Sequence, residues 1–235
     1  MFESKLNAET FESDIRELTK PLNGQYPRPW MTDLCDPLQA KVFIVGRNQA
    51  KTCSVESISD HSRHLNALFN RNGETCRGLY NELSKGTSSP TRQHIDLLAN
   101  ELRVAGVYDI LETNVVCYSS PMSVDLSRRL HAGGQQRGDE IFRYLLKTIR
   151  PSMLIVHGES SRRALEKALG GTLPSIGSDP ADVTKAHIDY SGNDVIVYPI
   201  SSLAPPAFNA WKKWSAEYLH RLAVDIADEL SHQAA

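Results

Sequence analysis

Short apolar runs, each stopped by turn chemistry and separated from the next by a stretch of helical periodicity, set the fold class of this chain. VFIVG (42–46) and MLIV (153–156) contain no polar residue, and DVIVYP (194–199) is charged only at its first position. Runs of this kind suit strands covered on both faces, as in a parallel sheet. A further strand is expected to end in ETNVV (112–116). Between the runs, SPTRQHIDLLANELRVAG puts Ile95, Leu98 and Leu102 on one helical face, with Ser89 or Thr91 as N-cap, Pro90 near the start and Gly106 as the stop. Asp139 can cap the helix EIFRYLLKTI, and SSRRALEKALG ends at Gly170. Strand and helix alternate, so the chain is expected to be α/β with right-handed parallel crossovers, as one domain over 1–235.

The flanks are helical. Phe2, Leu6, Phe11, Ile15 and Leu18 predict an N-terminal helix that Pro21 would end. The YPRPW segment (26–30) is expected to be extended; Tyr26 or Trp30 could cover a pocket as easily as plug the core, with core favoured for Trp30. From Pro206, the spacing of Phe208, Trp211, Trp214, Tyr218, Leu222, Ile226 and Leu230 predicts one long closing helix whose aromatic stripe is core.

At 235 residues and 40% hydrophobic, the chain can bury one sizeable core. It has no apolar run near the ~20 residues of a membrane span. Its polar start, MFESKLNAETFESD, lacks a signal-peptide pattern, so a cytoplasmic protein without a membrane partner is expected. Cys35, Cys53, Cys76 and Cys117 form no CxxC pair, and no metal or cofactor is expected. A net charge of −2 argues against indiscriminate nucleic-acid binding but leaves room for a local basic face. Arg128, Arg129, His131 and Arg137 flank Gly133 and Gly134; Arg162 and Arg163 follow HGES; Lys212 and Lys213 sit farther on. These clusters are either solvated helix faces or a phosphate footprint.

Three strings converge on one sheet edge: KVFIVGRNQ (41–49), ETNVV (112–116) and YPISS (198–202). In open parallel sheets ligands sit beyond the carboxyl ends of the strands, so Asn48 and Asn114 are expected to line one pocket. A strand-end Asn by itself is commonly a cap or turn residue, and the convergence of three strings is what favours a site. His157, at the end of MLIVH, is either a catalytic donor or a packed strand-end residue. Ser160 or Ser161 beside His157 offers a hydrolase reading, but no GxSxG elbow is present.

These residues resemble the uracil-DNA glycosylase superfamily, from about Tyr26 to Trp214. VFIVGRNQ resembles its first motif and puts Asn48 at the catalytic Asp or Asn position. TNVVCY resembles the element whose Asn reads the extruded base, which implies that role for Asn114. LIVHG is similar to a structural strand of the family. YPISSLAPP resembles its last loop, which implies DNA contacts from Tyr198, Ser201, Ser202 and a wedge at Leu203. Gln49 stands in place of the usual proline and Tyr198 in place of a frequent histidine, departures that put ordinary uracil activity in question. ETNVVCYSSPMS and HAGGQQRGDEIF are similar to phage-restricting glycosylases that remove glucosylated 5-hydroxymethylcytosine.

The resemblance implies a three-layer α/β/α sandwich with a short, mostly parallel central sheet. It also implies a monomeric, monofunctional DNA glycosylase acting on DNA that contains a modified base. Asn48 and His157 would be catalytic, with Arg47, Gln49, Asn114 and Tyr26 around the base and Arg128, Arg129 and Arg137 on DNA. Uracil excision in repair, and a non-catalytic reader of modified bases, remain alternatives.

Overall fold

The apolar runs pair with one another. A computed structural model, describing residues 2–179 and 181–233 and side chains from residue 8 onward, has a sheet of five strands in the order β2-β1-β3-β5-β4. The strands are β1 (Val42–Gln49), β2 (Ile110–Ser119), β3 (Met153–His157), β4 (Ala186–Tyr190) and β5 (Asn193–Ile200). β1, β3 and β5 are parallel, and β4 is an antiparallel strand absent from the sequence reading. Helices flank the sheet, giving an α/β sandwich: α1 (Phe2–Leu18), α2 (Val55–Ile58), α3 (His61–Leu68), α4 (Cys76–Leu83), α5 (Pro90–Val104), α6 (Gly134–Ile149), α7 (Glu159–Leu169), α8 (Ala207–Trp211) and α9 (Ser215–Gln233).

The chain divides into two compact units, one of residues up to 40, 46–86 and 111–150, the other of 41–45, 87–110 and 151 onward. In the second unit the parallel register aligns Val42 with Met153 and Ile196, and Ile44 with Ile155 and Tyr198. Alternate residues share a face, so these side chains form rows. Leu98 and Leu102 of α5 and Leu219, Leu222 and Ile226 of α9 cover them. The other face is filled too: Phe43, Val45, Leu154, Val156 and Val197 are buried, which is why the runs carry no alternation. Ser89 caps α5 with Pro90 in its first turn, and Gly106 takes a φ of 90° just past its end.

In the first unit Phe11 and Ile15 of α1 are buried, whereas the side chains of Phe2 and Leu6 lie outside the described residues. Phe11 stacks on Trp30, whose indole N–H donates to the Leu68 carbonyl at 2.9 Å, so Trp30 is core as expected.

Three local expectations change. The helix assigned to EIFRYLLKTI begins earlier, at Gly134, and Asp139 lies inside it. Gly134 and Gly138, four residues apart, let that helix lie close to β2. A Cβ on Gly138 would sit 2.6 Å from Val116 Cγ1 and 2.8 Å from the Cys117 backbone nitrogen. The closing helix is broken at residues 212–214 into α8 and α9, where the Ser215 hydroxyl donates to the Lys212 carbonyl. Its stripe is core as expected, with Phe208, Trp211 and Tyr218 buried.

The third change is in β2, which does not end at ETNVV but runs on to Ser119. The Asp109 carbonyl accepts from the Lys41 and Val42 N–H groups, and Ser120 N–H donates to the Gln49 carbonyl. Residues 109 to 120 are thus matched to 42 to 49, and β2 holds extra residues. The Thr113 hydroxyl lies 3.4 Å from the Cys117 thiol, although four residues of extended strand span roughly 13 Å. The excess is therefore a bulge at residues 113–117, and Asn114 sits in it.

Candidate active site

Asn48 is the second-last residue of β1 and half-buried. Its amide nitrogen donates to Ser120 Oγ at 2.9 Å and to the Ser120 carbonyl at 3.3 Å, and its Oδ1 accepts from Ser123 Oγ at 2.6 Å. The orientation of the amide follows from proton counting. Ser120 Oγ gives its single proton to the Met122 carbonyl at 2.8 Å, so it must accept from Asn48, and the Asn48 atom facing it is the NH₂. Oδ1 then points toward Ser123 and keeps one lone pair for a further donor such as water. Ser120 and Ser123 lie just past β2, in the serine-rich segment YSSPMS.

Around this centre the expected residues divide. Asn114 is half-buried, and its side-chain amide makes no hydrogen bond among the described residues. Arg47 is likewise half-buried with no hydrogen bond or ion pair among the described residues. Gln49 is not a base contact in this structure: it is buried, and its amide nitrogen donates to the Arg28 carbonyl, tying β1 to the proline-rich segment. Tyr26 is also interior, its ring stacked 5.2 Å from those of His61 and His64. Neither presents a face to a ligand.

The basic residues of the first unit divide in the same way. Arg128 and Arg129 are exposed, Arg128 paired with the buried Asp125 at 3.0 Å. Arg137 is not free for DNA: it donates to the Leu18 carbonyl and faces Glu140 at 3.3 Å. It lines a cavity of about 290 Å³ with Glu17 and Lys20. A second cavity, of about 610 Å³, lies among Phe11, Asp14, Tyr144 and Lys147, and neither contains Asn48 or Asn114.

In the second unit His157 ends β3, 8% exposed, and its Nδ1 has no hydrogen-bond partner among the described residues. Burial first, and the Arg92 charge second, hold its pKa down to about 4, so the ring is neutral at pH 7. It bonds to neither Ser160 nor Ser161, which removes the hydrolase arrangement. Gly158 follows with a φ of 86°, and a Cβ there would lie 3.3 Å from Ser202 Cβ, so the turns after β3 and β5 require glycine to pass.

Ser201 and Ser202 are half-buried in the turn after β5, and the Ser202 carbonyl accepts from the Trp211 indole at 3.0 Å. Leu203 is fully buried in the core with its carbonyl bonded to His94, so it is no wedge in this structure. Tyr198 is also no DNA contact. It is fully buried, donates to Asp225 at 2.7 Å, and its phenol is pushed up by burial and by that carboxylate. Both residues belong to the core cluster that α5 and α9 help to build.

Other polar groups resolve into structure. Arg162 is held by Glu159 and Glu166, both at 2.8 Å, and Arg163 by Glu159, the solvated-helix reading of that cluster. Cys76 and Cys117 are buried thiols whose pKa is raised to about 12 by burial. Among the described residues no group of three or more His, Cys, Asp or Glu is placed to hold a metal, and no helix is long and apolar enough to cross a membrane.

Sequence reasoning missed Ser120 and Ser123 as the residues that orient Asn48. The signal was the serine density of YSSPMS directly after the second string. No protein-family model matches this chain, and a search of curated proteins returns no significant match.

Proposed function

We propose that this chain is a monofunctional DNA glycosylase of the uracil-DNA glycosylase type that extrudes a modified pyrimidine and hydrolyses its N-glycosidic bond. The observation that carries the reading is the fixed Asn48 amide. A water accepted at Asn48 Oδ1 would be held by a dipole that Ser120 and Ser123 prevent from flipping. Asn48 does not titrate, so it orients water and cannot take its proton strongly. The reaction is therefore dissociative. The bond from C1′ to the base nitrogen breaks with its electron pair going to the base, positive charge develops on the sugar, and the water oxygen then bonds to C1′ and releases a proton to solvent.

Asn114, with donor and acceptor both unengaged, suits the edge of a pyrimidine, and Arg47 suits a phosphate or the departing base. His157 is neutral at pH 7, so any catalytic part it takes is that of an uncharged hydrogen-bond donor. Ser201 and Ser202 can bond to phosphate oxygens. Gln49 and Tyr198, the two departures from the family pattern, are engaged in internal bonds to Arg28 and Asp225 and lend no support to a non-catalytic reader.

The substrate class we favour is cytosine carrying a bulky 5-substituent, glucosylated 5-hydroxymethylcytosine in phage DNA above all, with host DNA spared because plain cytosine leaves pocket contacts unmade. Abasic-site formation on matched duplexes carrying uracil, 5-hydroxymethylcytosine or its glucosylated form tests this. Excision from the glucosylated duplex alone is expected. Equal excision of plain cytosine would sink the specificity claim, and no excision from any duplex would sink the glycosylase.

A further inference from the structure

Exposed large apolar side chains are few among the described residues, and three of them fall within nine positions of one loop: Met122 (63% exposed), Val124 (67%) and Leu130 (74%). They stand on two consecutive 3-10 turns, Ser123–Ser127 and Arg129–His131, that contact each other. Neither turn is loose. Asp125 is buried, accepts from Met122 N–H at 3.0 Å and pairs with Arg128. Leu126 packs on Val116 and Tyr118, and the buried His131 lies 3.3 Å from the Tyr118 hydroxyl. The loop is thus held from below while its apolar residues face solvent, an arrangement that stabilises nothing within the folded chain.

We propose that this ridge, with Leu130 at its tip, is the element that enters duplex DNA and holds open the space left by the extruded base. The proposal rests on the glycosylase reading and gives the wedge to the loop after β2 in place of the buried Leu203. Two features commit the ridge to DNA. Leu130 is flanked by the exposed Arg128 and Arg129, and within residues 122–131 these two arginines stand against one buried aspartate, Asp125, whereas the whole chain is net negative. The same loop supplies Ser123, which bonds Asn48, so the ridge is covalently close to the chemistry. Apolar side chains inserted between base steps, with cations on the adjacent phosphates, are how proteins unstack a duplex.

The test uses the full chain and a duplex holding a tetrahydrofuran abasic analogue with 2-aminopurine beside it, so that no excision is required. Native protein is expected to bind and raise 2-aminopurine fluorescence. Leu130→Ala should remove most of that rise and weaken duplex binding about tenfold while leaving single-strand binding unchanged. Val224→Ala, an exposed apolar residue on α9, should change nothing. Arg129→Ala should lower the salt dependence of binding by about one ion. Tight duplex binding with an unchanged Leu130→Ala signal would overturn the wedge and leave the glycosylase standing. Failure to bind any duplex or single strand would overturn both.

Discussion

At the residue scale the account depends on one amide. Asn48 is held from two sides by serines that a single loop delivers, and the direction of each bond is fixed by the one proton each hydroxyl has to give. Ser123 is exposed, so Ser123→Ala should lower unfolding free energy by no more than the ~1.4 kcal/mol of one hydrogen bond. Excision should fall about tenfold, since losing one hydrogen bond of ~1.4 kcal/mol frees the amide to rotate. Steady-state kinetics and urea unfolding on the same preparation separate the two effects; a variant with native turnover would show that Asn48 needs no such hold. Asn48 stood out in the sequence because it comes two residues after an apolar run, and that run puts it at the end of β1. Gln49, Tyr198 and Leu203, in or just past strands, and Tyr26, in the loop before β1, all turn inward, because a residue near a strand end or in a covered loop can point into the core or out of it. One position along a strand reverses that choice, and only packing decides it.

At the element scale the close approach of α6 to β2 shapes the candidate site, because that strand and its following loop carry Asn114, Ser120 and Ser123. The contact depends on glycine at 134 and 138. A methyl group on Gly138 meets backbone at Cys117, which cannot swing aside as a flexible side-chain end would. Gly138→Ala is therefore expected to destabilise by about 1–3 kcal/mol, against the small gain that alanine normally brings to a helix. Thermal or urea unfolding reads this directly, and a variant as stable as native would mean that the helix stands farther off. The long apolar strands and the capped helices α5 and α7 were legible, since periodicity and caps are local signals. The bulge in β2, the antiparallel β4 and the break before α9 were not. Each is decided by contacts with distant segments: β4 has a polar, half-exposed pattern that gains strand character only beside β5.

At the scale of the whole molecule, pH acts through two buried histidines. His64 in the first unit and His157 in the second are both held near pKa 4, mainly by burial. An unfolded chain protonates histidine near pH ~6.5, so between about 6.5 and 4 the unfolded state binds protons that the folded state refuses. Stability is then whole above pH 6.5 and falls as pH drops toward 4, by ~1.4 kcal/mol per pH unit for each histidine. Urea midpoints at pH 7 and pH 5 check this, with a single slope restored by replacing either ring with glutamine. Equal midpoints at the two pH values would mean that neither histidine is buried as described. Above pH 6 the neutral His157 should also leave excision independent of its own titration.

The most direct test of the central claim is excision of glucosylated 5-hydroxymethylcytosine from a duplex by the native protein and by Asn48→Ala, read as abasic sites cleaved by alkali. Native protein should release the base. Asn48→Ala, folded and binding the same duplex, should be slower by about 100-fold or more, the scale of losing an oriented catalytic group. Native-like release by Asn48→Ala would contradict this, because the amide that Ser120 and Ser123 orient would then have no part in the chemistry.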